Sequence, residues 1–79
     1  MPIYHLHLHN DVDVRDEEGK DFPDLEAVIH HAKREARFTL AETLKDEGRA
    51  DLNHRIDIED GSGQVLATVP FRDVVTIEG

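Results

Sequence analysis

Cysteine and tryptophan are both absent from this 79-residue chain. Without cysteine there is no disulfide framework, no thiolate metal site and no thiol nucleophile, which fits a reducing, cytoplasmic setting. Aromatics are few, three Phe and one Tyr, and they do not interleave with basic residues as a base-stacking surface requires. Positive charge is also scarce. Nine Lys and Arg face 18 Asp and Glu, for a formal charge of −9. That balance opposes attraction to nucleic acid or to an anionic membrane. No apolar run is longer than a few residues, so no membrane span is expected. The opening Met1-Pro2-Ile3-Tyr4-His5 has neither the basic start nor the apolar centre of a secretory signal. Enzyme signatures are missing as well. Gly61 and Gly63 lie in a turn signal rather than between a strand and a helix, so they do not read as a phosphate cradle. The single serine, Ser62, sits in the same turn with no base placed beside it. A chain this short can barely form both a core and a cleft. The expectation is a protein that is not an enzyme and carries no cofactor.

What is present is patterned. Hydrophobic residues make up 38% of the chain, enough for one small folded domain, residues 1–79, rather than a disordered acidic segment. The organising stretch is Asp24 to Glu47. Asp24 suits an N-cap, since its carboxylate can accept a first-turn N–H. Leu25, Val28, Ile29, Ala32, Ala36, Leu40 and Leu44 then recur at helical spacing as one apolar stripe. Lys45 falls in the last turn, and Gly48 suits the left-handed position just beyond it.

Both flanks read as strand. Ile3 to His9 alternates, with Tyr4, Leu6 and Leu8 on one face and His5, His7 and His9 on the other. Asn10-Asp11 predicts a tight turn, Val12 and Val14 a short return strand, and Asp16 to Lys20 a polar turn. Asp21-Phe22-Pro23 leads into the helix, with Phe22 folding back onto its first turn. Past Gly48, Leu52 is expected to pack under the helix end. His54 to Glu59 alternates around Ile56 and Ile58, Asp60-Gly61-Ser62-Gly63 is a turn, and Gln64 to Val69 returns. Two readings stay open. Either Val65, Ala67 and Val69 or Leu66 and Thr68 face inward, and residues 71–77 are either a helical turn or a final strand. The economical fold is α+β, a two-layer sandwich. An antiparallel sheet of about four strands, in β-β-α-β-β order, carries the long helix on one face over Tyr4, Leu6, Leu8, Ile56 and Ile58. The other face of the sheet is then solvated or covered by another subunit.

Three groups of residues carry chemical interest. His5, His7 and His9 line one strand face at roughly 6.6–7 Å spacing, where imidazoles can share a zinc, copper or nickel ion with Asp11 or Asp13 completing the shell. They also gain charge in the mildly acidic range, which suits a pH sensor. On the helix, His30, Lys33, Arg34 and Arg37 form a basic strip suited to phosphate or an acidic partner, or simply a solvated face paired with Glu26 and Glu35. Phe38 lies opposite the apolar stripe, with Ala27, His31 and Ala41 around it on the wheel, and is either an exposed exception or the anchor of an interface with a protein partner or with a second copy in a homodimer.

Tyr4-x-x-x-Leu8-x-Asn10, Asp16-Glu17-Glu18-Gly19, Pro23-Asp24-Leu25-Glu26-Ala27 and Val69-Pro70-Phe71-Arg72-Asp73-Val74-Val75 together resemble a family of short bacterial proteins known as a domain of unknown function. The resemblance spans nearly the whole chain. It implies a small soluble bacterial protein and transfers no catalytic residue. The reading is therefore a non-enzymatic α+β module that works through protein–protein contacts. The alternatives are a His-strand metal binder or pH sensor and, by analogy of size and charge, a small acidic antitoxin-like regulator.

Overall fold

A computed structural model describes residues 2–9 and 13–79. The sequence-predicted Asn10-Asp11 turn, and Val12 of the expected return strand, lie outside the described residues. The elements run β1 (Ile3–His9), β2 (Lys20–Asp21), α1 (Leu25–Glu47), β3 (Arg55–Glu59), β4 (Val65–Pro70) and a 3-10 turn (Phe71–Asp73). The four strands form one antiparallel sheet in the order β2-β1-β3-β4, and the single helix makes the second layer. This is the expected α+β arrangement.

The helix is specified locally. Asp24 is extended, and its Oδ1 accepts the Ala27 N–H at 2.8 Å. At the other end Gly48 takes φ 70° and returns its N–H to the Leu44 carbonyl at 2.9 Å. Val28, Ala32 and Ala36 are wholly buried and Leu40 nearly so, which fixes the face turned to the sheet. α1 packs mainly on β3, β4 and the 3-10 turn. Leu6 and Leu8 of β1 are consequently only half-buried. Leu44, at the far end of the predicted stripe, lies beyond the reach of the sheet and is exposed.

The second half closes the core. Ile56 pairs with Val69 and Ile58 with Ala67 before a bulge between Ile58 and Glu59 shifts the register. Ala67 and Val69 therefore face inward, while Val65, beyond the bulge, is exposed. The β3–β4 turn is held by Asp60, whose Oδ1 accepts the Ser62 hydroxyl at 2.6 Å and the Ser62 and Gln64 N–H groups. Residues 71–73 take the helical alternative. Phe71 is fully buried and Val74 nearly so, Phe71 N–H donates to the His54 carbonyl at 2.9 Å, and Arg37 Nε donates to the Val74 carbonyl at 2.8 Å.

The first half departs from expectation. Val14 makes only an isolated bridge with Leu8, and the strand paired with β1 is Lys20–Asp21, at the end of the predicted polar turn and the start of the predicted lead-in to the helix. The cause is the β1 edge. Its backbone groups need partners along its whole length, and residues 13–21 supply them in turn. Val14 pairs with Leu8, the Asp16 carboxylate accepts the Leu6 N–H at 3.3 Å, and Lys20–Asp21 pair with Tyr4 and Ile3. On the outer face of the sheet the chain's own 13–19 segment lies against β1, while Arg55 of β3 and Thr68 of β4 are exposed, as expected of a solvated face.

Candidate functional site

The His side of β1 faces away from α1, as its alternation predicts, and each ring is engaged. His7 is the most enclosed polar residue among those described, 4% exposed. Its Nδ1 accepts the Asp16 N–H at 3.0 Å, so the ring proton resides on Nε2, which meets Glu59 Oε1 at 3.3 Å. His5 stacks on His7 with 6.2 Å between centroids and donates from Nδ1 to the Asp16 carbonyl at 2.7 Å. His9 sets Nδ1 3.2 Å from Asp13 Oδ1 and Nε2 3.0 Å from Asp57 Oδ2, so an acceptor stands at each end of its ring. A cleft of about 260 Å³ opens beside His5 and His7, walled by Arg15, Asp16, Glu59 and Asp60.

Asp16 is the hub. Besides its two backbone bonds to the rings, its Oδ1 accepts the Gly19 N–H at 3.0 Å and its Oδ2 that of Leu6. Burial acts to raise its pKa. The Gly19 and Leu6 N–H groups, then the neighbouring His5 and His7, outweigh that and hold the carboxyl below its ordinary 3.8. Gly19, at φ 73°, makes the arrangement sterically feasible. A Cβ there would stand 2.6 Å from Ile3 Cγ2 and 2.9 Å from the Tyr4 carbonyl oxygen.

A divalent metal needs three or four ligands converging on one point. Among the described residues no group of three or more His, Asp or Glu does so. The ring nitrogens of His7 and His9 are already turned to Asp16, Glu59, Asp13 and Asp57. Asp11 lies outside the described residues.

The second surface is the outer side of α1. Phe38 is 64% exposed. Ala27 and His31 are half-buried and Ala41 is exposed. His31 is drawn towards the domain, with its ring 5.4 Å from that of Phe22, which in turn meets Tyr4 edge-on, while its Nε2 lies 3.6 Å from Glu35. The four predicted interface residues thus do share one side of the helix, with Phe38 as its protruding member. Ala41 also belongs to an apolar groove of about 240 Å³ at the helix end, formed with Leu40, Leu44, Leu52, Val75 and Ile77. Of the basic strip, Arg37 is tied to the Val74 carbonyl, while His30, Lys33 and Arg34 are exposed.

Sequence reasoning missed Asp16, Gly19 and Glu59 on the first surface and the groove on the second. Asp16 and Gly19 did carry a signal, an aspartate three residues ahead of a glycine, as in a turn closed by a side chain. Leu44 and Ile77 carried none, because each reads as core until the extent of the sheet is known.

No described helix is long and apolar enough to cross a membrane. No curated protein and no solved structure matches the chain. A family model does match, over residues 3–72, and the chain belongs to that family, a domain of unknown function (DUF6894).

Proposed function

We propose that this chain is a small non-enzymatic interaction module of the bacterial cytoplasm, working through protein–protein contacts made by the outer side of α1. The observation that carries the reading is Phe38. A large aromatic, 64% exposed on the helix face opposite the core, adds nothing to this domain's own packing, and such rings anchor interfaces when seated in a partner. The neighbouring groove adds exposed Leu44 and Ile77, 56% and 76% exposed. The sheet edges offer less. β2 is two residues long, and β4 carries a bulge near one end and Pro70 at the other, both of which blunt strand addition. Ser62, the one serine, gives its hydroxyl to Asp60, which supports a non-enzymatic role. The test compares wild type with Phe38→Asp by light scattering over a concentration series and by capture of partners from the native cytoplasm. The expected result is loss of association in the variant. Identical mass and identical captured proteins would overturn the reading.

A second reading, pH sensing, is favoured by one observation, that His7 Nδ1 accepts from the Asp16 N–H. Protonation there sets a donor against a donor and loosens residues 13–19. The charged and titratable groups around the ring are Glu59 and Asp57 on β3, Asp16, Glu17 and Arg15 on the loop, Asp60 at the turn, and His5 and His9 on its own strand. Amide exchange at Asp16 and Gly19, followed from neutral pH through the imidazole range, tests it. Exchange that is flat with pH, or that rises equally in His7→Gln, refutes it.

A further inference from the structure

Charge is spread unevenly along α1. The middle of the helix presents His30, Lys33, Arg34 and Arg37 with Glu35 the one acid among them, whereas its C-terminal third presents Glu42, Asp46 and Glu47 with Lys45 the one base. The first and last turns follow the helix dipole, with Glu26 at the start and Lys45 at the end, so the charges that the dipole does not account for are those between them. Phe38 stands at the junction. Four residues before it on the same face is Arg34 and four after it is Glu42, both exposed, and neither has an ion-pair partner among the described residues.

We propose that the occupant of this face is a second copy of the chain, its α1 lying antiparallel across the first with a two-fold axis beside Phe38. The inference rests on the reading that the Phe38 face is the contact surface. Two-fold symmetry makes the interface self-complementary: a residue n positions before Phe38 meets the residue n positions after it on the other helix. The two Phe38 rings meet at the axis. Arg34 meets Glu42 of the partner subunit, and Glu42 meets Arg34 of the partner subunit. The His31–Glu35 pair, 3.6 Å apart, receives Lys45 of the partner subunit, and Ala41 leaves room for close approach. A parallel pair would instead set Arg34 on Arg34 and Glu42 on Glu42. Charge therefore selects the antiparallel arrangement.

The experiment uses the full chain and sedimentation equilibrium, with circular dichroism to check that each variant is folded. Wild type is expected to dimerise, and Phe38→Asp to weaken the dimer roughly thirtyfold or more. Arg34→Glu and Glu42→Arg, each alone, place like charges together twice per dimer and weaken it roughly tenfold. Mixed together, the two single variants are complementary at both contacts, so they form a heterodimer of near wild-type strength, and the double variant R34E/E42R regains self-association. A wild type that stays monomeric overturns the proposal. A dimer that Phe38→Asp leaves intact overturns both the proposal and the surface on which it rests. A dimer broken by Phe38→Asp whose charge variants neither weaken it nor pair with each other keeps the surface and overturns the antiparallel two-fold.

Discussion

The docking of residues 13–21 on β1 is tested most sharply at Gly19. Its φ of 73° lies in the left-handed region, and a Cβ there would fall 2.6 Å from Ile3 Cγ2, 2.9 Å from the Tyr4 carbonyl oxygen and 3.0 Å from His5 Cε1. Two costs add for Gly19→Ala. The left-handed backbone costs an alanine about 1–2 kcal/mol, and overlap with a close-packed neighbour costs about 1–3 kcal/mol. The neighbours have little room to yield, since Ile3 and Tyr4 are paired to Asp21 and Lys20 and His5 is bonded to Asp16. Gly48 is the control, because its φ is 70° and a Cβ would meet nothing within 4 Å. Gly48→Ala therefore isolates the backbone cost. For a domain of this length each kcal/mol lowers the melting temperature by about 4–8 °C, so Gly19→Ala should melt at least ~5 °C below Gly48→Ala. The extra loss is capped by what docking contributes, since the loop can let go of the strand. Release would then show as shifted His5 and His7 ring resonances. Equal melting temperatures with unmoved ring resonances would refute the docking.

Further outcomes follow from the same contacts. Asp16 has a folded pKa below its ordinary 3.8, so its contribution to stability is fully present above that value and is lost as pH falls through the folded pKa. Asp16→Asn should therefore melt a few degrees below wild type at neutral pH, with the gap closing in strong acid, and a gap independent of pH would count against the carboxylate as hub. Phe71 is fully buried, so Phe71→Ala should cost about 3–5 kcal/mol by urea titration, a large share of the roughly 4–12 kcal/mol a chain of this length holds. Removal of the helix cap by Asp24→Ala should cost about 1 kcal/mol, with Asp24→Ser restoring most of it.

Features decided within a few residues were legible in the sequence. The helix is bounded by Asp24 and Gly48 because a cap is a local bond, and both bonds form. The alternation of Ile3 to His9 gave the facing of every side chain on β1, because a strand has period two. Features decided across the fold were not legible. Lys20–Asp21 has no strand signature and is a strand only because β1 offers an open edge beside it. The inward face of β4 depended on a bulge opposite Glu59, which shifts the count by one. Of the candidate sites, Phe38 was visible because a wheel needs no tertiary knowledge. The partners of the three histidines were not, because Asp16 and Glu59 reach them from a loop and from the neighbouring strand.

The two surfaces bear on one another. A two-layer α+β domain has two outer faces, the far side of the sheet and the far side of the helix, and either can receive a partner. Here the chain lays residues 13–19 against the His side of β1, with the rings of His5 and His7 bonded to Asp16 and that of His7 also to Glu59. A partner arriving there would have to displace the Asp16 bonds to His5, His7, Leu6 and Gly19 together, and buried polar groups left unpaired are costly. The helix side asks for no such displacement. Arg34, Phe38 and Glu42 stand in water, and covering Phe38 removes apolar surface without breaking a bond within the domain. The loop thus makes association over β1 costly and leaves the helix side the easier surface to cover. Loosening the loop with Asp16→Asn should leave pairing through α1 unchanged, and a dimer that weakens with that substitution would mean the two faces are not independent.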